Sequence, residues 1–207
     1  MIEGLWDIDA ASHYVSFEAL AFLFEALVLL WIGKLIKDVF TPYKINQELT
    51  QQDNKALALS YMGYMVGQGI VILGVLEGES DDLWLDMLGV GIWGIVGIVL
   101  LNLSAIINNR FILRQFDNVK ELIQDRNVGT GAVECGAFIG TAFVIRGVIS
   151  GDSGGWQTDA LATVVFFLVG QVAFILFSLI YQGTTKFDLH AEIEKDNVAA
   201  GVAFGGT

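Results

Sequence analysis

Five apolar runs, each long enough to cross a bilayer, leave this chain little freedom in how it can fold. They cover about Tyr14 to Phe40, Lys55 to Leu76, Leu83 to Ile107, Val128 to Ile149 and Ala160 to Tyr181. A spanning helix needs roughly 20 mostly apolar residues, because in lipid every backbone polar group must be bonded internally. Only 16% of the 207 residues are charged, against about 25% in an ordinary soluble domain. The expected class is all-α, a polytopic transmembrane helical bundle. A sixth segment begins near Asn197 and stops at Thr207. Its roughly ten residues rise only about 15 Å, half the hydrocarbon core. We expect the natural chain to continue, or part of it to be missing.

Lys and Arg set the orientation. Lys34, Lys37, Lys44 and Lys55 surround the first connection, Arg110, Arg114, Lys120 and Arg126 the third, and Lys186 and Lys195 the fifth. The segments between them, Met1 to His13, Glu77 to Asp82 and Ser150 to Asp159, contain none. Arg146 alone breaks the pattern. The N-terminus is expected outside and the three basic connections in the cytoplasm. Trp6, Trp84 and Trp156 then mark the outer interface, and Trp31, Tyr43 and Tyr181 the inner one. Positive charge follows the first apolar run instead of preceding it, so that run is expected to remain as a span.

Three stretches can be laid over one another: "YKINQELTQQDNKALALSYMGYMVG" from Tyr43, "FDNVKELIQDRNVGTGAVECGAFIG" from Phe116 and "FDLHAEIEKDNVAAGVAFGG" from Phe187. Each carries an acid followed by Leu or Ile: Glu48-Leu49, Glu121-Leu122, Glu192-Ile193. Each then has an Asn at the start of a small-residue helix: Asn54, Asn127, Asn197. Nine residues on comes Gly63, Gly136 or Gly206, and Gly67 and Gly140 follow in the first two copies. A period of about 70 residues holding two spans implies direct repeats. The units are expected at residues 1–82, 83–159 and, incomplete, 160–207. Asn caps free N–H groups where a helix enters lipid. Small residues four apart let a second helix approach closely, so the second helix of each unit should be the packed one.

In this order of span, aromatic-containing link, acid, "DN" and Gly-stepped span, the chain resembles the YjfL-type bacterial inner-membrane family, a domain of unknown function numbered 350. The resemblance covers nearly the whole chain. "RNVGTGAVECG" departs from it, with Gly129 and Glu134 where small apolar residues are usual. The resemblance implies a multi-pass inner-membrane protein without an established activity, often in envelope-stress gene neighbourhoods.

Ionisable residues inside the spans are the candidate functional positions. Each costs about 2.5–3.5 kcal/mol at the bilayer centre on insertion scales. Glu18 and Glu25 are seven apart and share a helix face, with Glu25 near mid-span. Glu134 lies in the cytoplasmic half of the fourth span and Arg146 in its outer half. By depth, Glu18 is expected to pair with Arg146, while Glu25 and Glu134 have no basic partner at their level. Lys34 and Lys37 are expected to snorkel to the inner surface. Glu25 and Glu134 either sit as neutral carboxyls bonded to Gln68, Asn102, Ser104 or Gln171, or line a proton or cation path.

Other chemistries find little support. A net charge of −12 opposes nucleic-acid binding. One Cys and two His exclude an internal disulfide and speak against a zinc centre. The acidic "EGESDDLWLD" lacks a recognised Ca²⁺-loop spacing, and no nucleophile–base arrangement stands out. No enzyme, metal or cofactor is expected. The leading reading is a structural or envelope-stress component embedded in the lipid bilayer. It would form a homo-oligomer, or bind a membrane-protein partner, through its Gly-lined faces. The competing reading is a small ion channel or proton-coupled transporter.

Overall fold

The computed structural model describes residues 3–77, 82–113, 117–151 and 154–207, with side chains from residue 17 onward. Among these residues the regular structure is entirely helical. Five long helices, α1 (Glu3–Phe40), α3 (Lys55–Val75), α4 (Leu83–Phe111), α6 (Val128–Ile149) and α7 (Trp156–Thr184), alternate with short ones. These are α2 (Ile45–Thr50), α5 (Asn118–Ile123) and α8 (Leu189–Glu194), and α9 (Val198–Gly205) follows α8. The apolar spans within the long helices are Phe17–Phe40, Lys55–Val75, Leu83–Phe111, Val128–Ile149 and Trp156–Thr184. By length and apolarity all five can cross a membrane.

Local chemistry explains the helix ends. Helix α1 stops two residues before Pro42, whose ring cannot continue it. The Thr41 hydroxyl donates to the Lys37 carbonyl at 3.1 Å and so satisfies part of the last turn. Asn54, Asn127 and Asn197 cap α3, α6 and α9, accepting from the N–H of Leu57, Thr130 and Ala200 at 3.0, 2.9 and 3.2 Å. The residue before each Asn, Asp53, Arg126 or Asp196, has φ of 47°, 53° or 59°. This left-handed residue turns the chain from the short surface helix into the long one. It also brings the Asn Nδ2 onto the preceding acid: Glu48 at 3.2 Å, Glu121 at 2.8 Å and Glu192 at 2.9 Å.

Helix α6 sits at the centre, packed against α3, α4, α7 and α9. Buried residues make up 50% of the most apolar window of α3 and 44% of those of α4 and α6, but 11% in α1 and 28% in α7. Helices α1 and α7 therefore turn most of their apolar surface outward, through Leu20, Phe24, Leu27 and Trp31 and through Phe166, Val169, Leu176 and Ile180. In lipid such exposure costs nothing, and the bundle is held by close packing and internal polar bonds. The close packing is plain at Gly63, where a Cβ would strike the backbone of Cys135, and at Gly136, where it would strike the Gly205 carbonyl. Gly67 packs on the Phe138 carbonyl and Gly140 on the Phe174 ring. Around these contacts Tyr64, Val71, Leu101, Phe138, Ile145 and Phe167 form one core cluster, and Val133, Leu189, Ile193 and Phe204 belong to another.

Candidate polar site at one end of the bundle

Glu134 is 8% exposed on α6. One carboxylate oxygen accepts from the Ser60 hydroxyl of α3 and the other from the Asn118 amide of α5. Asn118 also donates to Asn109 Oδ1 at 2.7 Å, which ties the surface helix α5 to the end of α4. A carboxyl with both oxygens bonded meets the main condition for tolerating burial.

Lys37 corrects the expectation of a snorkelling side chain. It is 7% exposed, with its ammonium 5.0 Å from the Tyr64 ring centroid and 4.5 Å from that of Phe138. Ring faces are electron-rich and stabilise a desolvated cation. Lys37 and Glu134 line the same cavity of about 80 Å³, with Thr41, Tyr43, Asn102, Asn109 and Asn118 among the other polar residues. A basic residue thus does lie near the level of Glu134. Glu25, Leu29, Gly33 and Lys37 follow one another at four-residue steps along α1. Leu29, Gly33 and Lys37 are all buried.

Tyr43 lines both this cavity and a larger cleft of about 580 Å³ formed with Asp38, Lys44, Asn46, Gln47, Thr50 and Gln51. Burial first, then the charges of Glu134 and Glu48, raise the Tyr43 phenol far above its ordinary range, so it remains a neutral hydroxyl.

The other intramembrane residues lie apart from this site. Glu25 is twelve residues from Lys37 along α1, about 18 Å of helix rise. Its Oε1 faces Gly91 of α4, and its Oε2 is buried without a hydrogen-bond partner among the described residues. Glu25 and Glu134 thus do not meet in one cavity. Arg146 pairs with Glu77 at the end of α3, and not with Glu18 as depth alone suggested. Glu77 follows the span directly, so the flexible guanidinium reaches past the apolar region to a solvated carboxylate.

The amides expected to hold the carboxyls are engaged elsewhere. Gln68 donates to the Leu29 carbonyl at 2.6 Å, Asn102 to Tyr64 Oη at 3.1 Å and Gln171 to Thr141 Oγ1 at 3.2 Å. The Ser104 hydroxyl turns back to the Leu101 carbonyl of its own helix at 2.8 Å. Ser60 and Asn118, the actual partners of Glu134, are common residues whose roles depend on how α3 and α5 pack.

Two of the capping Asn residues do more than cap. Asn54 Nδ2 donates to the Leu122 carbonyl at 2.8 Å, and Asn127 Nδ2 to the Ile193 carbonyl at 2.6 Å. Each thus ties its own helix to the next surface helix, some 70 residues on.

Comparison with known proteins agrees with this architecture. The family model described as Domain of Unknown Function (DUF350) matches residues 8–149 and 155–207. A UPF0719 transmembrane protein of Aquifex aeolicus (strain VF5) is 27% identical over 190 residues, covering 86% of this chain. The chain spans 65% of the length of that relative. No solved structure matches it. With its multi-pass helical fold and a family match running almost end to end, the chain belongs to the DUF350 family of transmembrane proteins.

Proposed function

We propose that this protein is a non-enzymatic component of the bacterial cytoplasmic (inner) membrane, built of direct two-helix repeats, that self-associates in a structural or envelope-stress role. The observation that carries this reading is the recurring Asn latch. Asn54 and Asn127 each cap their own helix, hold the acid of their own unit and bind a backbone carbonyl of the next unit. An architecture that joins like units side by side through one repeated contact suits assembly better than turnover. The orientation has the N-terminus outside, supported by the basic residues around α2, α5 and α8.

Native mass spectrometry from nanodiscs tests self-association, and a strictly monomeric protein would remove this reading. Cysteines placed at Gln157 and Gln124, both exposed, test the orientation. Gln157→Cys should react with an impermeant maleimide in intact cells, and Gln124→Cys only after permeabilisation.

A second reading, proton or cation movement, is favoured by the enclosed Lys37–Glu134 cavity next to the Tyr43 cleft. Proteoliposome flux decides it. Flux abolished by Glu134→Gln but not by Glu25→Gln would support it, and an inert parent protein that still assembles would end it.

A further inference from the structure

The two contacts that join neighbouring small-residue helices are built alike. Gly131, four residues after its capping Asn, lies against the carbonyl of Ala56, two residues after the Asn of the preceding unit. Gly201, four after Asn197, lies in the same way against the carbonyl of Gly129, two after Asn127. Further along, Gly63 meets Cys135 and Gly136 meets Gly205: in both cases position nine of one unit on position eight of the next. Helix α6 therefore uses one face toward α3 and another toward α9. The face it shows α3 has its counterpart in α3 at Ala58, Met62, Met65, Gly69 and Leu73. The face it shows α9 has its counterpart in α9 at Ala199, Val202 and Gly206.

Both counterparts are largely uncovered, with Met65 half-buried against the core cluster. Gly131 and Cys135 are buried, whereas Ala58 is exposed, Met62 is 49% and Leu73 56% exposed, and a Cβ on Gly69 would meet nothing. Gly129 and Ala132 are buried, whereas Ala199 is exposed and Val202 is 51% exposed. The polar groups at the start of these helices follow the same division. Asn54 and Asn127 each give one amide hydrogen to an acid and one to a carbonyl of the next unit, whereas Asn197 among the described residues holds only Glu192. Asp196 accepts from the N–H groups of Val128 at 2.8 Å and Gly129 at 3.4 Å, at the start of the preceding unit's helix. Asp53 has the same left-handed backbone and position, and its side chain is exposed.

We infer that the exposed face of α9 and the exposed face of α3 are the two halves of one head-to-tail interface, and that the occupant of the α9 face is α3 of a second copy of this chain. This rests on the self-association proposed above and names its surface. In the docked pair, Asn197 Nδ2 donates to the Leu49 carbonyl of the second copy. Asp53 of that copy accepts from the N–H groups of Val198 and Ala199, continuing what Asn127 and Asp196 do within the chain. Direct repeats keep all units in one orientation across the bilayer, so the second copy docks without inverting. Ala58 and Met62 stand where Gly131 and Cys135 stand in the internal contact. The helices are consequently spaced more widely between copies than within one, and flexible Met62 fills the gap. A heterologous contact of this kind closes into a ring or extends as a row.

Disulfide trapping in native membranes tests this, using the full chain with its thiol removed (Cys135→Ala). Ala58→Cys and Ala199→Cys in one chain should give a ladder of dimer and higher species on oxidation. The two single variants co-expressed should give heterodimer only, and each alone should give none. A dimer from Ala58→Cys alone would mean a two-fold interface. That overturns the assignment while leaving self-association intact, whereas loss of every oligomer in native mass spectrometry removes both. An unreactive, shielded Ala199→Cys in a monomeric protein would mean that another part of the same chain covers α9, which also overturns it. Asp53→Gly removes the carboxylate and suits the left-handed backbone. It should lower the ladder yield several-fold, and an unchanged yield rejects the polar half of the contact.

Discussion

At the level of single residues, the heart of the polar site is a carboxylate bonded from two sides and a lysine lying against two rings. Removing one side of a buried charge arrangement costs about 3–5 kcal/mol, because the remaining charge keeps its desolvation cost without its partner. Glu134→Ala should therefore lose stability on that order in chemical unfolding from detergent micelles. Adding Lys37→Met, which keeps the stem and removes the charge, should restore part of the loss; a double-mutant cycle reads the coupling. Glu134 was visible in the sequence because a carboxylate in an apolar run attracts notice. Lys37 was not, since a lysine near a membrane boundary ordinarily reaches water, and only the packing of Gly33 against Gln68 turns its face inward. The Glu18–Arg146 pairing failed for a related reason. Depth along two helices says nothing about azimuth, and Glu77 lies within reach of Arg146. Titration enters at Glu192, outside the spans. Its hydrogen bond from Asn197, then that from Lys195 and the Lys195 charge, hold its carboxyl below the ordinary 4.5. A depressed folded-state value stabilises the folded form above the unfolded pKa, and the effect disappears as pH falls through the lower folded value. Protection of the Asn197 and Ala200 amides from hydrogen exchange, taken relative to their intrinsic rates, should fall below about pH 4.5 in the parent, and Glu192→Gln should flatten that dependence.

Helix ends and helix faces make up the next scale, and here the sequence was most readable. The Asn of each "DN" or "RN" pair caps its helix as its chemistry dictates, and Gly63 and Gly136 lie where another backbone passes. The uneven tasks of the three Asn residues were not readable, because a hydrogen bond to a carbonyl some 70 residues away exists only after folding. Their loss should separate accordingly. Asn127→Ala removes a cap, at about 1–2 kcal/mol, and one of the two hydrogen bonds to the buried Ile193 carbonyl, which keeps the Asp196 N–H, at about 0.5–1.5 kcal/mol more. In the dissociated monomer, where no second copy meets it, Asn197→Ala removes a cap from an exposed position and should cost about the first amount only. Thermal unfolding of the monomer in one detergent compares them, and equal losses there would refute the inter-unit tie. Gly136→Leu should cost about 1–3 kcal/mol through overpacking and should loosen α9 selectively, measured as faster proteolysis after Asn197 with α3 still protected.

For the molecule as a whole, composition and charge placement were enough to read an all-helical, multi-pass protein with its packed helices inside. The arrangement of those helices around α6 required the structure, since apolar runs look alike whatever their neighbours. The same ordering bears on the membrane itself. The central α6 and its closely packed neighbour α3 have 22 and 21 residues, about 32–33 Å of rise, close to a hydrocarbon core of about 30 Å. The flanking α4 and α7 have 29 each, about 44 Å. Helices clasped to a short central pair have little room to lean, so their surplus turns emerge at the headgroups, with exposed Trp84 and Trp156 at one margin. The middle of the protein thus sets a preferred lipid thickness while its periphery tolerates a range of them. In vesicles of progressively longer acyl chains, strain should fall first on α3 and α6, through the glycine seam that joins them.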